Sequence, residues 1–348
     1  MFWASIRENT LKANSYAREI EAELVKLKKI YPALRPANFY FTIGALRTGG
    51  TAMDGMVLIG SEIALADKSV ATEEFPKGLE HLKPFFEANS IDDLVFTNVH
   101  EYVHTQQKMT LGDNLLAQSV LEGVAEFVAV QATGKPSPLP AIVFGRENAE
   151  QVRERFATEI FNLFPGFWLY SNAENEFEVR DLGYYVGYAI CERYYQKAPD
   201  KGQAISEMIE LDYNKETELI RFVDESGYFS RPVAELKRRF EESRPVVTRI
   251  SQLKNQQRKV SPKLTTITVE FSAPMDTRYR NFELGPLGET NLMRVKQFRG
   301  FSEDGKSATI EVELKPNRRY QLVIGNGFRS KEGISLKPYL IDFTTSNK

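Results

Sequence analysis

Cysteine occurs once in this chain, at Cys191, and histidine only three times in 348 residues. A single thiol excludes an internal disulfide, so cysteine usage neither demands nor forbids an oxidising compartment. A dominant sign of charge is lacking too: 45 Lys and Arg face 47 Asp and Glu, and a formal charge of -2 gives no field to attract a polyanion. Nucleic acid is therefore not an expected partner. No apolar run approaches the ~18 to 20 residues needed to cross a bilayer. The opening MFWASIRENT meets Arg7 and Glu8 before a signal-like segment can form. The chain reads as soluble, with any cleaved leader lying upstream of Trp3 and Ile6.

What is present is an ordinary globular composition, 42% hydrophobic and 26% charged, at a length that suggests two domains. Helical periodicity runs from Asn9 to Lys29 and stops before Tyr31-Pro32. PANFYFTIGAL and MVLIGSEIAL read as strands flanking a glycine-rich turn, GGTAMDG, in an antiparallel pair or edge ribbon. Helices are predicted over about 91–109, 113–133 and 147–163, with the prolines of Lys135–Pro140 ending the second, and over about 181–197, 201–210 and 231–242. Beyond Pro245 the period becomes two. Ile267, Val269 and Phe271 alternate with Thr268 and Glu270, and Ala308 to Leu314 and Tyr320 to Ile324 repeat the scheme, with turns at Glu303–Gly305, Pro316-Asn317 and Gly325–Gly327. The predicted fold class is α+β: a mainly helical domain with a small sheet over residues 1–245, then an all-β sandwich over 246–348.

Two of the three histidines fall in VHEYVHTQQ, as His100 and His104 with Glu101 directly after the first. Residues i and i+4 of a helix sit one above the other, so both imidazoles can face one metal ion while Glu101, about 100° round the helix, reaches a water on it. The same string on a solvated helix face binds nothing. Here Val95, Phe96, Val99 and Val103 surround the histidines with apolar residues, as in a core helix, and Ser90 with Asp93 offers an N-cap signal. A buried Glu101 beside two imidazoles requires a cation or hydrogen bonds.

Zinc needs a third protein ligand and an open position. His81 is the only histidine left and lies in a charged, proline-bounded stretch, so a carboxylate is the better donor. LEGVAEF on the next helix supplies Glu122 and Glu126 one turn apart, reachable by a turn at Leu111-Gly112-Asp113, with Gly123 and the alanines allowing the two helices to approach closely. A hydrated stripe would explain these carboxylates equally, except that Leu115, Leu121 and Val130 make that helix apolar on most sides. Glu122 is the expected ligand, and Glu126 the group that orients a histidine through its other ring nitrogen.

HEYVH followed by LEGVAEF resembles the gluzincin arrangement, in which a glutamate on the following helix completes a zinc site. With FWASIRENT, IYP, FTIGALRTGGT, the IGSE segment and LGYYVGYAI, residues 1 to about 240 resemble the zinc-dependent protease family called DUF2268, which is related to bacterial gliding-motility lipoproteins. The β region is similar to bacterial Ig-like domains of the SbsA type, through ITVEFSAPMD and IDFTT. The resemblance implies a zincin-like peptidase domain followed by an Ig-like domain, one Zn2+ per chain, and an extracytoplasmic place in the periplasm or envelope with a leader or lipid anchor this chain does not contain. A cytoplasmic place stays open.

The expected reaction is hydrolysis of a peptide or protein substrate, with Glu101 as general base. An oxyanion donor is sought in Gly183–Tyr188, first in Tyr184, with Arg180 as another source; packing of a helix explains these tyrosines as well. Substrate is expected to add as a strand against MVLIGSEIAL, at Ile59, with Gly49 and Gly50 near the cleft or simply in a turn. Two rivals remain: a silent metal-binding or envelope interaction module attached through the Ig-like domain, and a zinc hydrolase of non-peptide amides.

Overall fold

The computed structural model describes residues 1–53, 55–88, 91–108, 114–171 and 174–348, and divides into two compact units, Met1–Ala157 with Phe167–Ala234, and Thr158–Gly166 with Glu235–Lys348. The chain is mixed α/β. Ser90 and the turn expected at residues 111–113 lie outside the described residues.

The first unit opens with α1 (Phe2–Ser5), α2 (Arg7–Leu11) and α3 (Ala13–Ile30), the last burying Ile20 and Leu27, which lie on one stripe of the helix. A three-stranded sheet follows: β1 (Asn38–Thr42), β2 (Gly50–Met53) and β3 (Met56–Gly60), in the order β1-β3-β2. β1 runs parallel to β3, and β2 antiparallel to it. This corrects the reading of two strands around a glycine-rich turn. Gly50–Met53 is itself a strand, and the segments flanking it pair in parallel. Ile59, buried in the central strand, faces Phe41 on one side and Gly50 on the other, so it has no free edge to offer a substrate.

The remaining helices are α4 (Ser61–Ala64), α5 (Leu82–Ala88), α6 (Leu94–His104), α7 (Leu115–Thr133), α8 (Pro140–Glu147), α9 (Ala149–Glu159), α10 (Leu182–Lys197), α11 (Lys201–Glu210), α12 (Glu216–Ser226) and α13 (Val233–Ser243). Asn114 caps α7 by accepting from the Ala117 N–H at 3.1 Å, and Gly134, at φ 67°, ends it in a left-handed turn. By length and composition alone α7 is apolar enough to cross a bilayer, contrary to the sequence reading, but most of it is buried against α3, α6, α10 and α11, as a core helix is. α5, α8 and α12 fall where no helix is predicted, and α4 takes the second half of MVLIGSEIAL, predicted as strand. Pro140 sits in the first turn of α8, where its missing N–H removes no intrahelical bond.

Gly123 does not serve α6. A Cβ built on it would lie 2.0 Å from the Gly187 carbonyl carbon, and one on Gly187 would lie 1.8 Å from the Ser119 oxygen, so α7 and α10 cross backbone against backbone. α7 is thereby fixed, and with it the carboxylate of Glu122.

The second unit holds two four-stranded sheets. β4 (Val247–Ile250), β6 (Thr266–Phe271), β9 (Ser307–Val312) and β8 (Val295–Phe301) form one in the order β4-β6-β9-β8; β5 (Arg258–Val260), β11 (Tyr339–Thr345), β10 (Arg319–Ile324) and β7 (Phe282–Glu283) form the other in the order β5-β11-β10-β7. The inward rows, Ile267, Val269 and Phe271 from one sheet and Leu322, Ile341 and Phe343 from the other, meet in one core.

Candidate metal centre

α6 begins after a 3₁₀ turn at Ile91–Asp93, where Asp93 makes no side-chain capping bond, and it buries Val95, Phe96, Val99 and Val103. The i, i+4 spacing then sets the His100 and His104 Nε2 atoms 3.1 Å apart. Glu122 Oε2 lies 3.4 Å from the first and 3.3 Å from the second. These three side chains can together hold a metal ion.

Hydrogen bonds behind the rings decide what the three atoms are. His100 Nδ1 lies 2.8 Å from Glu126 Oε2, and a carboxylate can only accept, so Nδ1 carries the proton. His104 Nδ1 lies 2.6 Å from Gln107 Oε1. That amide is oriented by its nitrogen, which donates to the Leu121 carbonyl at 3.0 Å and the Tyr213 hydroxyl at 3.0 Å, so its oxygen faces the ring and accepts. In its neutral form each imidazole therefore turns a bare Nε2 lone pair inward, and in its charged form an Nε2–H. Among the described residues Glu122 Oε2 is buried without a hydrogen-bond donor. Three acceptors converging at 3.1–3.4 Å repel one another unless a cation or protons stand between them, so the donor set fits a metal ion.

Electrostatics agree. Burial pushes the His100 imidazole down, but Glu122 and Glu126 overcome it and hold the ring well above its usual range. His104 is likewise depressed by burial and raised on balance by Glu122. Glu122, raised by burial, is brought well below the carboxylate range by His104 and His100. The pocket thus demands positive charge. Glu101 differs: burial lifts its carboxyl, and His104 and His100 only partly offset this.

Glu101 and His104 line a cavity of about 1090 Å³. Glu101, His104, Tyr170 and Tyr184 face it, and Gly49 and Gly50 form part of its wall, whereas Ile59 does not reach it. A Cβ on Gly50 would stand 3.0 Å from Glu101 Cγ and Oε1, so a side chain there would press on the Glu101 side chain. The Tyr184 ring lies 6.1 Å from that of His100, and its hydroxyl is raised by burial and by Glu122. Tyr185 and Tyr188 are buried in packing, Tyr188 edge-on to Phe127. Glu126 is further held by the Ser137 hydroxyl. The sequence reading missed Gln107 and Tyr170, whose hydroxyl donates to Glu122 Oε1 at 2.5 Å. Gln107, three residues beyond His104, had a legible signal in its spacing; Tyr170 had none.

No family model matches the chain, and no curated protein does. Among solved structures it is similar to CopC from Methylosinus trichosporium OB3b, at 14% identity and a TM-score of 0.24 over 29% of this chain and 93% of that one. It is also similar to the S-layer protein rSbsC, at 12% identity and a TM-score of 0.23 over 73% of this chain and 33% of that one. At such TM-scores neither likeness bears on the site.

Proposed function

We propose that the chain is a zinc-dependent metallopeptidase of the cell envelope, with a zincin-like unit carrying the chemistry and an Ig-like unit that mediates an envelope contact. One observation carries the reading: the Nε2 atoms of two imidazoles and a buried carboxylate oxygen converge at 3.1–3.4 Å, beside a buried carboxyl whose pKa is raised.

His100, His104 and Glu122 would hold the zinc ion, leaving one position open. Zinc there supplies a Lewis acid that makes water acidic enough to attack at neutral pH. Glu101 takes the proton that the attacking water releases, and passes it to the amide nitrogen as the C–N bond breaks, giving a carboxylate and an amine. Tyr184 faces the same cavity and in this reading would donate to the carbonyl oxygen as it gains charge.

The sheet favours a peptide over a small amide. Among the described residues β2 pairs with β3 alone and forms one edge of the sheet, and its glycine abuts Glu101. Its backbone groups can bind an extended main chain regardless of side chain. Purified protein is expected to cleave unstructured peptides, to stop when a chelator is added, and to recover with zinc. Inertness toward peptides with turnover of small amides would sink the peptidase reading, and inertness toward both would favour a silent module.

A further inference from the structure

We propose that Tyr170 is a positioning residue that keeps Glu122 a one-oxygen ligand, an inference that rests on the metal reading of His100, His104 and Glu122. A carboxylate with both oxygens free can grip a divalent ion through both and occupy two coordination positions. Glu122 is not free in that sense. Its Oε1 accepts the Tyr170 hydroxyl at 2.5 Å, while Oε2 alone turns toward the two imidazoles. One carboxylate oxygen and two nitrogens make three protein atoms, and a four-coordinate ion then keeps a position for the reacting water. Loss of the phenol would let the second carboxylate oxygen compete for that position.

Packing alone does not account for how Tyr170 gets there. The residue as a whole is 55% exposed, yet its hydroxyl reaches a buried carboxylate. Its backbone lies at φ 57°, in the left-handed region that non-glycine residues rarely enter. Its N–H donates to Asp181 Oδ1 at 2.7 Å, and the other oxygen of Asp181 pairs with Arg180 at 2.5 Å. Asp181 and Glu178 are also left-handed, at φ 62° and 54°. All three lie along the cavity wall, where strain held by surrounding contacts marks residues whose placement matters.

Cobalt in place of zinc reports the number of ligands through its visible absorption, which is intense at four-coordination and weakens when a fifth ligand binds. Cobalt-loaded Tyr170→Phe, which keeps the ring, is expected to lose a large part of that intensity while retaining one ion per chain, and to bind zinc roughly tenfold more weakly. Asp181→Ala, which frees the Tyr170 backbone, is expected to shift the spectrum the same way. A wild-type spectrum in Tyr170→Phe overturns the inference whatever the second variant does. A wild-type protein that takes up no cobalt overturns the metal reading itself, and the inference with it, so the two failures are distinguishable.

Discussion

Glu101→Gln is expected to lower the rate of peptide hydrolysis by roughly 10²- to 10⁴-fold while zinc stays bound. The amide has almost the shape of the carboxylate, so the wall formed by Gly50, whose added Cβ would stand 3.0 Å from Glu101, is undisturbed. What it cannot do is accept a proton. The pH profile carries the same information. Burial raises the Glu101 carboxyl, with His104 and His100 pulling it partly back, and only the ionised form is a base. Activity is therefore present above that raised pKa and is lost as pH falls through it, giving an acid limb in kcat/KM that the residual activity of the Gln variant lacks. Hydrolysis at the wild-type rate by a zinc-loaded Gln variant would remove Glu101 from the chemistry.

The second large effect is on folding. Gly187→Val places a side chain where a Cβ already meets the Ser119 carbonyl oxygen at 1.8 Å and the Gly123 Cα at 2.9 Å. Both neighbours are helix backbone, so no side chain can swing aside; α7 and α10 must separate. Overpacking a close-packed core costs about 1–3 kcal/mol, and more where backbone must move, so a loss above ~3 kcal/mol is expected. The site would suffer as well, because Glu122 precedes Gly123 on the displaced helix. Urea denaturation of Gly187→Val and Gly123→Ala measures this, and stabilities within about 0.5 kcal/mol of wild type would contradict the backbone crossing.

The His100, His104 and Glu122 group was more legible than the architecture around it. HEYVH fixes its own geometry, because i and i+4 meet on any helix, and the apolar surround of Glu122 marked it as a buried carboxylate. The alternation of Ile267, Val269 and Phe271 likewise announced a strand with one buried face, which β6 has. Elsewhere local sequence underdetermined the partner. MVLIG is apolar on both faces, which says that its faces are covered and nothing about its neighbours in the sheet plane, where β3 proves central. Glycine at Gly49 and Gly50 suggested a turn, yet Gly50 opens a strand and abuts the Glu101 side chain, which a Cβ there would press on at 3.0 Å. Leu219, Phe222 and Val223 in α12 do carry a helical stripe, which went unread beside the polar residues of that segment. Tyr170 lies 48 residues from Glu122, and their contact depends on a path through left-handed residues that no short-range pattern encodes.

The most direct measurement is the metal content of the purified protein by mass spectrometry, for the wild type and for His104→Ala and Glu122→Ala. About one zinc per chain in the wild type, falling to near zero in both variants, is expected. A wild type that holds no divalent metal, or variants that hold as much as it does, would contradict the metal centre.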